Sequence, residues 1–479
     1  MKLFNTLSGK KEEVERPEGR PLNIFVCGPT VYDAAHLGHA RTYIAFDALV
    51  RFLRAEGWQV FYLQNITDVD DKIIDRAREA DTTPAKLAKE YEHAYRRTMK
   101  NIGVRSVDTY APASKFIPQI VSQVERLIAK GFAYRIEESG YYFDITTFPD
   151  YGKLSGRTAT QAEDAVTRID EQIAKKNRGD FALWKFIDAH PRNASKKFML
   201  VNGEPAWRAS VGWGRPGWHI EDTAITEALF GPQYDIHGGA EDLKFPHHEA
   251  EIAQQEAASG KKPFVKLWLH TGFMRVRGEK MSKSLKNFVT IEQFLATYPA
   301  LVLRWLVLSH HYRSPINFDD ATIEQAVRSV ASLQETLDKL LFISRKGMRI
   351  GAPDRMFMFD EQSLEARWHA ALLDDFNTPE AFAAVFAFIN ELNPHLWKLS
   401  RKEAKTALGQ IVNAFEMLGI EFVPEKATRE AEALANEREL YRGSKQFTQA
   451  DALRKDVLGL GYTVDDTPLG PFVRRTPKS

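Results

Sequence analysis

Cysteine is almost absent from this chain. Cys27 is the only one in 479 residues, so no disulfide can form within it, which fits a reducing compartment. Net charge is nearly absent too. With 65 Lys and Arg against 64 Asp and Glu, any nucleic-acid partner must be held by locally basic surfaces and not by a global field. There is no long apolar run: the most apolar stretch, ALVLRWLVL at 300–308, carries Arg304 and is far shorter than a membrane span. The first twenty residues are charged and lack an apolar centre, which excludes a secretory signal peptide. Low-complexity tracts, internal repeats and a GxGxxG are missing as well. The chain reads as a soluble, cytoplasmic protein with no membrane partner.

What is present is the composition of a folded globular protein, 44% hydrophobic and 27% charged, in a chain long enough for two to four domains. Asn23–Cys27 (NIFVC) is a short apolar run ending at Gly28-Pro29, the pattern of a buried strand followed by a turn. Ile44, Leu49, Phe52 and Leu53 then recur at roughly helical spacing, Gly57 stops the helix, and Gln59–Gln64 (QVFYLQ) gives a second strand. Strand, helix and strand in this length predict a parallel βαβ unit. The expected fold is therefore α/β: a Rossmann-like parallel-sheet catalytic domain over 1–310 with an insertion at about 100–205. A helical bundle over 311–422 and a small C-terminal domain over 423–479 follow, the last ending in a hairpin at YTVDDTPLGPFVRR.

Two short motifs carry chemistry. His36-Leu37-Gly38-His39 falls between the first strand and the first helix, where free backbone N–H groups and the helix dipole favour phosphate. Gly38 permits close approach of a ligand to the backbone, and the two imidazoles can donate to an α-phosphate as its charge builds. About 240 residues later, Lys280-Met281-Ser282-Lys283-Ser284 offers two ammonium groups and two hydroxyls, a clamp suited to β- and γ-phosphates. Taken singly, the first is equally a loop with surface histidines, and the second is more ordinarily a solvated loop. Together they predict in-line attack of a carboxylate on the α-phosphate of ATP.

This pair resembles the class I aminoacyl-tRNA synthetases. CGPTVYDAAHLGHAR, NITDVDDK, GRPGWHIE, DIHGG, FPHHEAEIAQ and GEKMSKSLKNF, in that order, resemble the cysteinyl-tRNA synthetase family in particular, and the likeness runs from Cys27 to the tail. It implies ligation of L-cysteine to tRNA-Cys through cysteinyl adenylate, with Mg2+ accompanying ATP. His36, His39, Lys280 and Lys283 would then be catalytic. Gly38, Ser282, Lys283 and His237-Gly238-Gly239 would bind ATP, with the last three against the adenosine. Thr67 and Trp218 would line the amino-acid pocket. Without the family, the bland readings of these two, a strand end and a core aromatic, would be preferred.

His247 and Glu251 are four apart and so share one face of a helix, a spacing that suits two ligands of one ion and equally an ordinary polar pair. The family resemblance implies one zinc ion per chain, at the floor of the pocket, held by Cys27, His247, Glu251 and a fourth residue. That fourth position is Asp222, where the family's commonest residue is cysteine. Cys, Asp, His and Glu still form an acceptable zinc set. Zinc would explain discrimination against serine, which pocket shape alone achieves poorly. His248 is expected to be a structural or outer residue, because adjacent helix positions point about 100° apart.

Two other readings stay open here. One is a ligase joining cysteine to an amino-sugar, against which stand some 170 residues after the catalytic half. The other is a catalytically silent RNA-binding paralogue, against which stand the intact HLGH and KMSKS motifs. By resemblance the bundle and tail contact the tRNA anticodon arm, with Phe447, Arg454 and Arg474 as candidates for stacking on bases. Composition does not mark that region: from Trp397 onward there are 14 Lys/Arg and 12 Asp/Glu. A monomer is the expected state.

Overall fold

A computed structural model describes residues 1–157, 174–188, 196–276, 278–280, 288–347, 361–423 and 426–476, with backbone only at Lys280 and 361–363. It divides into two units, Met1–Ala300 with Tyr312–Phe318, and Leu301–His311 with Asp319–Ser479. The break expected at 310 thus falls at 300. The chain then returns to the first unit because Ile316–Phe318 pairs in parallel with Met274–Val276.

The first unit is built on five parallel strands: β1 (Leu22–Val26), β2 (Val60–Ile66), β3 (Thr109–Pro112), β4 (Tyr234–Ala240) and β5 (Val265–Thr271). Their order across the sheet is β5-β4-β1-β2-β3. Every residue of β1 is buried, as expected of a parallel strand covered on both faces. Helix α1 (Leu37–Ala55) connects β1 to β2, which pair directly with Leu22 opposite Val60, so the expected βαβ unit is present. The insertion contains a six-stranded antiparallel sheet running from Ala133 to Pro216, about ten residues beyond its expected end. The first residues of the chain form a hairpin, Lys2–Asn5 with Lys10–Glu13, whose Asn5 side chain accepts from Trp268 N and donates to Lys266 O.

Two helices enter the core beside β4. Helix α2 (Trp218–Phe230) precedes it, and helix α3 (His247–Ser259) leads on to β5. Helix α3 is buried from His247 to Ala257 although it is rich in Glu, Gln and His, so its polar groups need partners. They have them. Glu249 accepts from the backbone of Gly152, Leu154 and Ser155, Glu256 pairs with Lys153 at 2.6 Å, and Gln255 accepts from Gln123, itself tied to Thr223 of α2. The insertion thereby holds α3 rigidly against the sheet ends.

The second unit is helical, with Asp320–Lys346, Glu361–Leu373, Thr378–Leu392 and Arg401–Glu416 gathered on the rings of Trp305, Trp368, Phe382 and Phe415. Arg304, the charge inside the apolar run, is buried and donates to Leu418 O at 2.6 Å. No single described helix is long and apolar enough to cross a membrane. Helices Arg429–Gly443 and Phe447–Gly459 carry a small separate core, and the tail forms the expected hairpin, Tyr462–Thr467 with Gly470–Arg475.

Candidate active site

The end of β1, the start of α1 and the start of α2 and α3 open on one cleft. At its α1 side, His36 is the N-cap of the helix. His36 Nδ1 accepts from His39 N at 3.3 Å, while His39 Nδ1 accepts from His36 N at 3.2 Å. This is a capping box made of two histidines, with the rings stacked 3.8 Å apart. Because each Nδ1 accepts, each neutral imidazole carries its proton on Nε2. His36, Gly38 and His39 all line the cleft.

The second phosphate motif lies largely outside the described residues: Met281, Ser282, Lys283 and Ser284 are not described, and of Lys280 only the backbone is. Its flanks are described. Glu279–Lys280 forms a short strand on Met274–Val276, and the chain reappears at Phe288, whose ring meets His36 edge-on at 4.8 Å. Thr290 then bridges His36, with Leu37 N donating to Val289 O and Ile291 N to Ala35 O. The described residues on both sides of the motif therefore belong to the first unit, and those from Phe288 to Ile291 lie against the start of α1.

The other end of the cleft is a buried cluster centred on Cys27, directly after β1. Cys27 Sγ lies 3.3 Å from Asp222 Oδ2, 3.2 Å from His248 Nε2, 3.6 Å from His237 Nε2 and 3.8 Å from Glu251 Oε1. His247 Nε2 is 3.1 Å from Asp222 and 2.9 Å from Glu251. The helical spacing explains the supply: α2 turns Trp218 and Asp222 to one side, α3 turns His247 and Glu251, and Trp218 stacks on His247 at 4.2 Å. Trp218 and Thr67 both line the cleft, and Trp218 keeps 38% of its surface exposed. The expected residues Cys27, Asp222, His247 and Glu251 are thus brought together, with one ligand atom from each within 4.8 Å of all the others.

Two placements differ from the sequence reading. His248 reaches Cys27 as closely as any other residue of the cluster, while its neighbour His247 turns to Asp222 and Glu251. The 100° rule describes direction from the helix axis and says nothing of where the partner lies. His237 is fully buried with Nε2 toward Cys27, and neither it nor Gly238 nor Gly239 lines the cleft. The two glycines have steric reasons of their own. A Cβ on Gly238 would come within 2.3 Å of the Phe46 ring, and one on Gly239 within 2.6 Å of His248 Cε1.

Electrostatics suit a cation. Burial, then Glu251 and Asp222, push the Cys27 thiol well above its ordinary range. Burial pulls His247 down, but Glu251 and Asp222 outweigh it and raise this imidazole to about 9. Burial also raises Glu251 against the pull of His247. Burial and neighbouring histidines keep His219, His237 and His248 neutral. Glu251 Oε2 is enclosed with no hydrogen bond among the described residues. Sulfur, nitrogen and two carboxylates at this separation form the donor set of a borderline divalent ion, which would relieve the crowding that protons otherwise carry.

Asn65 was not singled out from the sequence. Its Nδ2 donates to Asp222 Oδ1 at 2.5 Å and its Oδ1 accepts from Gly28 N at 2.5 Å, so it orients one donor and the nucleotide loop together. The available signal was its position two residues before Thr67, on the same face of a strand. Asn65→Ala should weaken metal affinity about 10- to 100-fold, the usual effect of removing an orienting partner. Competition with a chromophoric chelator reads it, and unchanged affinity would leave Asn65 a loop anchor only.

Comparison with known proteins follows this geometry. Residues 13–328 match the family model described as tRNA synthetases class I (C) catalytic domain, and residues 367–423 match the DALR domain. The chain is 40% identical to the cysteine–tRNA ligase of Thermococcus onnurineus, covering 99% of both, and 39% identical to that of Thermoplasma volcanium, covering 97% and 98%. The chain belongs to the cysteine–tRNA ligase family. Among solved structures, methionyl-tRNA synthetase of Mycobacterium tuberculosis with methionyl-adenylate aligns at TM-score 0.60 and 16% identity, over 83% of this chain and 89% of that one. A leucyl-tRNA synthetase ternary complex from Agrobacterium radiobacter aligns at 0.59 and 13%, over 86% and 87%. These two share the class I fold with this cysteine–tRNA ligase family member. In the second unit, the stacking candidate Arg474 pairs with Asp465 at 3.2 Å and Glu335 at 3.3 Å, and Phe447 is 58% exposed.

Proposed function

We propose that this chain activates L-cysteine with Mg·ATP and transfers it to tRNA-Cys, acting as a cytoplasmic monomer. The observation that carries the reading is one cleft lined at one end by His36, Gly38 and His39 and at the other by Cys27, Asp222 and His247. Phosphate chemistry and a thiol-selecting donor set therefore face the same small substrate. A cysteine carboxylate oxygen attacks the α-phosphorus, the bond to the β-phosphate oxygen breaks, and pyrophosphate leaves. The Nε2–H groups of His36 and His39 donate to the α-phosphate as charge builds there. Lys280, Ser282 and Lys283 clamp the leaving phosphates. The terminal ribose hydroxyl of tRNA then attacks the adenylate carbonyl and releases AMP.

Cys27, Asp222, His247 and Glu251 would hold zinc, which supplies a bond to the substrate thiolate that a serine hydroxyl reproduces badly. Thr67 and Trp218 close the sides of that pocket. The His237 side chain turns into the cluster, and contact of His237-Gly238-Gly239 with the adenosine rests on the family resemblance alone. ATP–pyrophosphate exchange that depends on cysteine and ignores serine tests the activation step, and exchange without cysteine would sink it.

Exposed Leu440 and Phe447 support contact of the second unit with unpaired tRNA bases. Deletion of residues 425–479 should lower charging of tRNA by about ten- to a hundredfold, the loss of one or two stacked bases, while exchange stays within about twofold. Equal loss of both activities would assign the tail to folding.

A further inference from the structure

Six donor side chains, not four, crowd the closed end of the cleft. Cys27 and Glu251 belong to two overlapping quartets. One adds Asp222 and His247, the other adds His237 and His248, and in each the ligand atoms all lie within 4.8 Å of one another. The quartets differ in access. Cys27, Asp222 and His247 line the cleft, whereas His237, His248 and Glu251 are fully enclosed and do not.

The inner histidines are oriented as ligands are. A ligating imidazole offers one nitrogen to the ion and fixes the other with a hydrogen bond. His248 Nδ1 lies 2.8 Å from His270 Nε2, and His270 Nδ1 lies 2.9 Å from Thr6 Oγ1. With Nδ1–H of each ring donating along this chain, the lone pair of His248 Nε2 faces Cys27 at 3.2 Å. His237 repeats the arrangement. Its Nδ1 is 2.7 Å from the Tyr234 hydroxyl, and its Nε2 faces Cys27 at 3.6 Å. Trp268 lies flat against the His237 ring at 4.3 Å, and glycine at 239 leaves the only room for His248. Two imidazoles, each with Nδ1 hydrogen-bonded and Nε2 aimed at one thiol, exceed what packing requires.

We infer that Cys27, His237, His248 and Glu251 form a second, enclosed metal position, which a divalent ion occupies in alternation with the position on the cleft. This rests on reading the cluster as metal-binding. The shared Cys27 and Glu251 let an ion pass between the two by exchanging Asp222 and His247 for His237 and His248. An ion in the inner position would have no face on the cleft, because His237, His248 and Glu251 are enclosed. In the outer position it faces the cleft and can accept a thiolate. Asp222 thus holds the ion where cysteine can meet it.

Cobalt(II) is the probe, loaded into the full-length chain and followed by metal content and by its visible spectrum. Asp222→Ala is expected to keep one Co2+ per chain with affinity within about tenfold of wild type. Its spectrum should no longer change on adding L-cysteine. Adding His248→Ala to that variant should weaken binding by about a hundredfold or more. His248→Ala alone should keep both the ion and the cysteine response. Far-UV circular dichroism and a thermal melt check folding, and His237→Asn provides the same comparison where His248→Ala does not fold. Loss of cobalt from Asp222→Ala would overturn the inference, as would undiminished binding in the double variant. A wild-type chain that takes up no cobalt would overturn the metal reading itself, and this inference with it.

Discussion

His36→Ala is expected to slow cysteine-dependent ATP–pyrophosphate exchange by about 10²- to 10³-fold, the usual cost of one directed donor to developing charge, while metal content stays at the wild-type level. The reasoning starts from the capping box. His36 Nδ1 accepts from His39 N, which leaves the proton on Nε2 and fixes the ring by its stack on His39 and its edge contact with Phe288. A donor so held costs no reorganisation when charge appears on the α-phosphate. The substitution also removes an N-cap, a loss of about 0.5–2 kcal/mol in stability. His36→Ser separates the two effects, since serine caps a helix well but brings no donor to the position of Nε2. Exchange should stay low in His36→Ser although its melting temperature recovers. Recovery of exchange with serine would assign His36 to helix capping alone.

Cys27→Ala should empty the metal site and lower exchange with cysteine by about a thousandfold or more, as expected when the group that discriminates the substrate is left without its partner. Cys27 is shared by every donor arrangement in the cluster, and its backbone oxygen also accepts from the Tyr43 hydroxyl at 3.0 Å. Alanine keeps that backbone contact, so the fold around β1 should survive. What it removes is the chain's only thiol. Asp222 and Glu251 then face His247 with no soft donor, a set that suits harder ions than zinc. Elemental analysis after gel filtration, run beside the exchange assay, checks both halves. Full zinc occupancy in Cys27→Ala would take the thiol off the ligand set. Full exchange from a metal-free chain would detach cysteine selection from the metal.

Much of this site could be read along the chain wherever its parts are local. HLGH at a strand-to-helix junction names a helix N-terminus, and the box formed by His36 and His39 needs only residues three apart. His247 and Glu251 share a helix face by spacing alone, and the C-terminal hairpin follows from its turn at 467–470. Asn65 was missed for the opposite reason. Its partners, Gly28 and Asp222, are 37 and 157 residues away, and no local pattern says that a strand-end amide will meet them. The assignment of His237 to adenosine, carried by resemblance, placed a motif on a strand but could not say which way its side chain turned; the ring goes to Cys27 and Tyr234.

By itself the sequence determined the parallel sheet, the helix start at HLGH and the shared helix face of His247 and Glu251, because apolar runs and i,i+4 spacing act over a few residues, while Cys27 and Asp222 entered the donor set through family resemblance. Only the tertiary structure decided that Cys27 stands in a cluster of six donors and not of four. That outcome depends on α3 being buried between the sheet ends and the insertion, where Glu249, Gln255 and Glu256 are tied to residues 94 to 132 positions away. Burial on every side brings both His247 and His248 into clusters that share Cys27. Periodicity gives the direction in which a side chain leaves its helix, and only packing supplies what stands opposite.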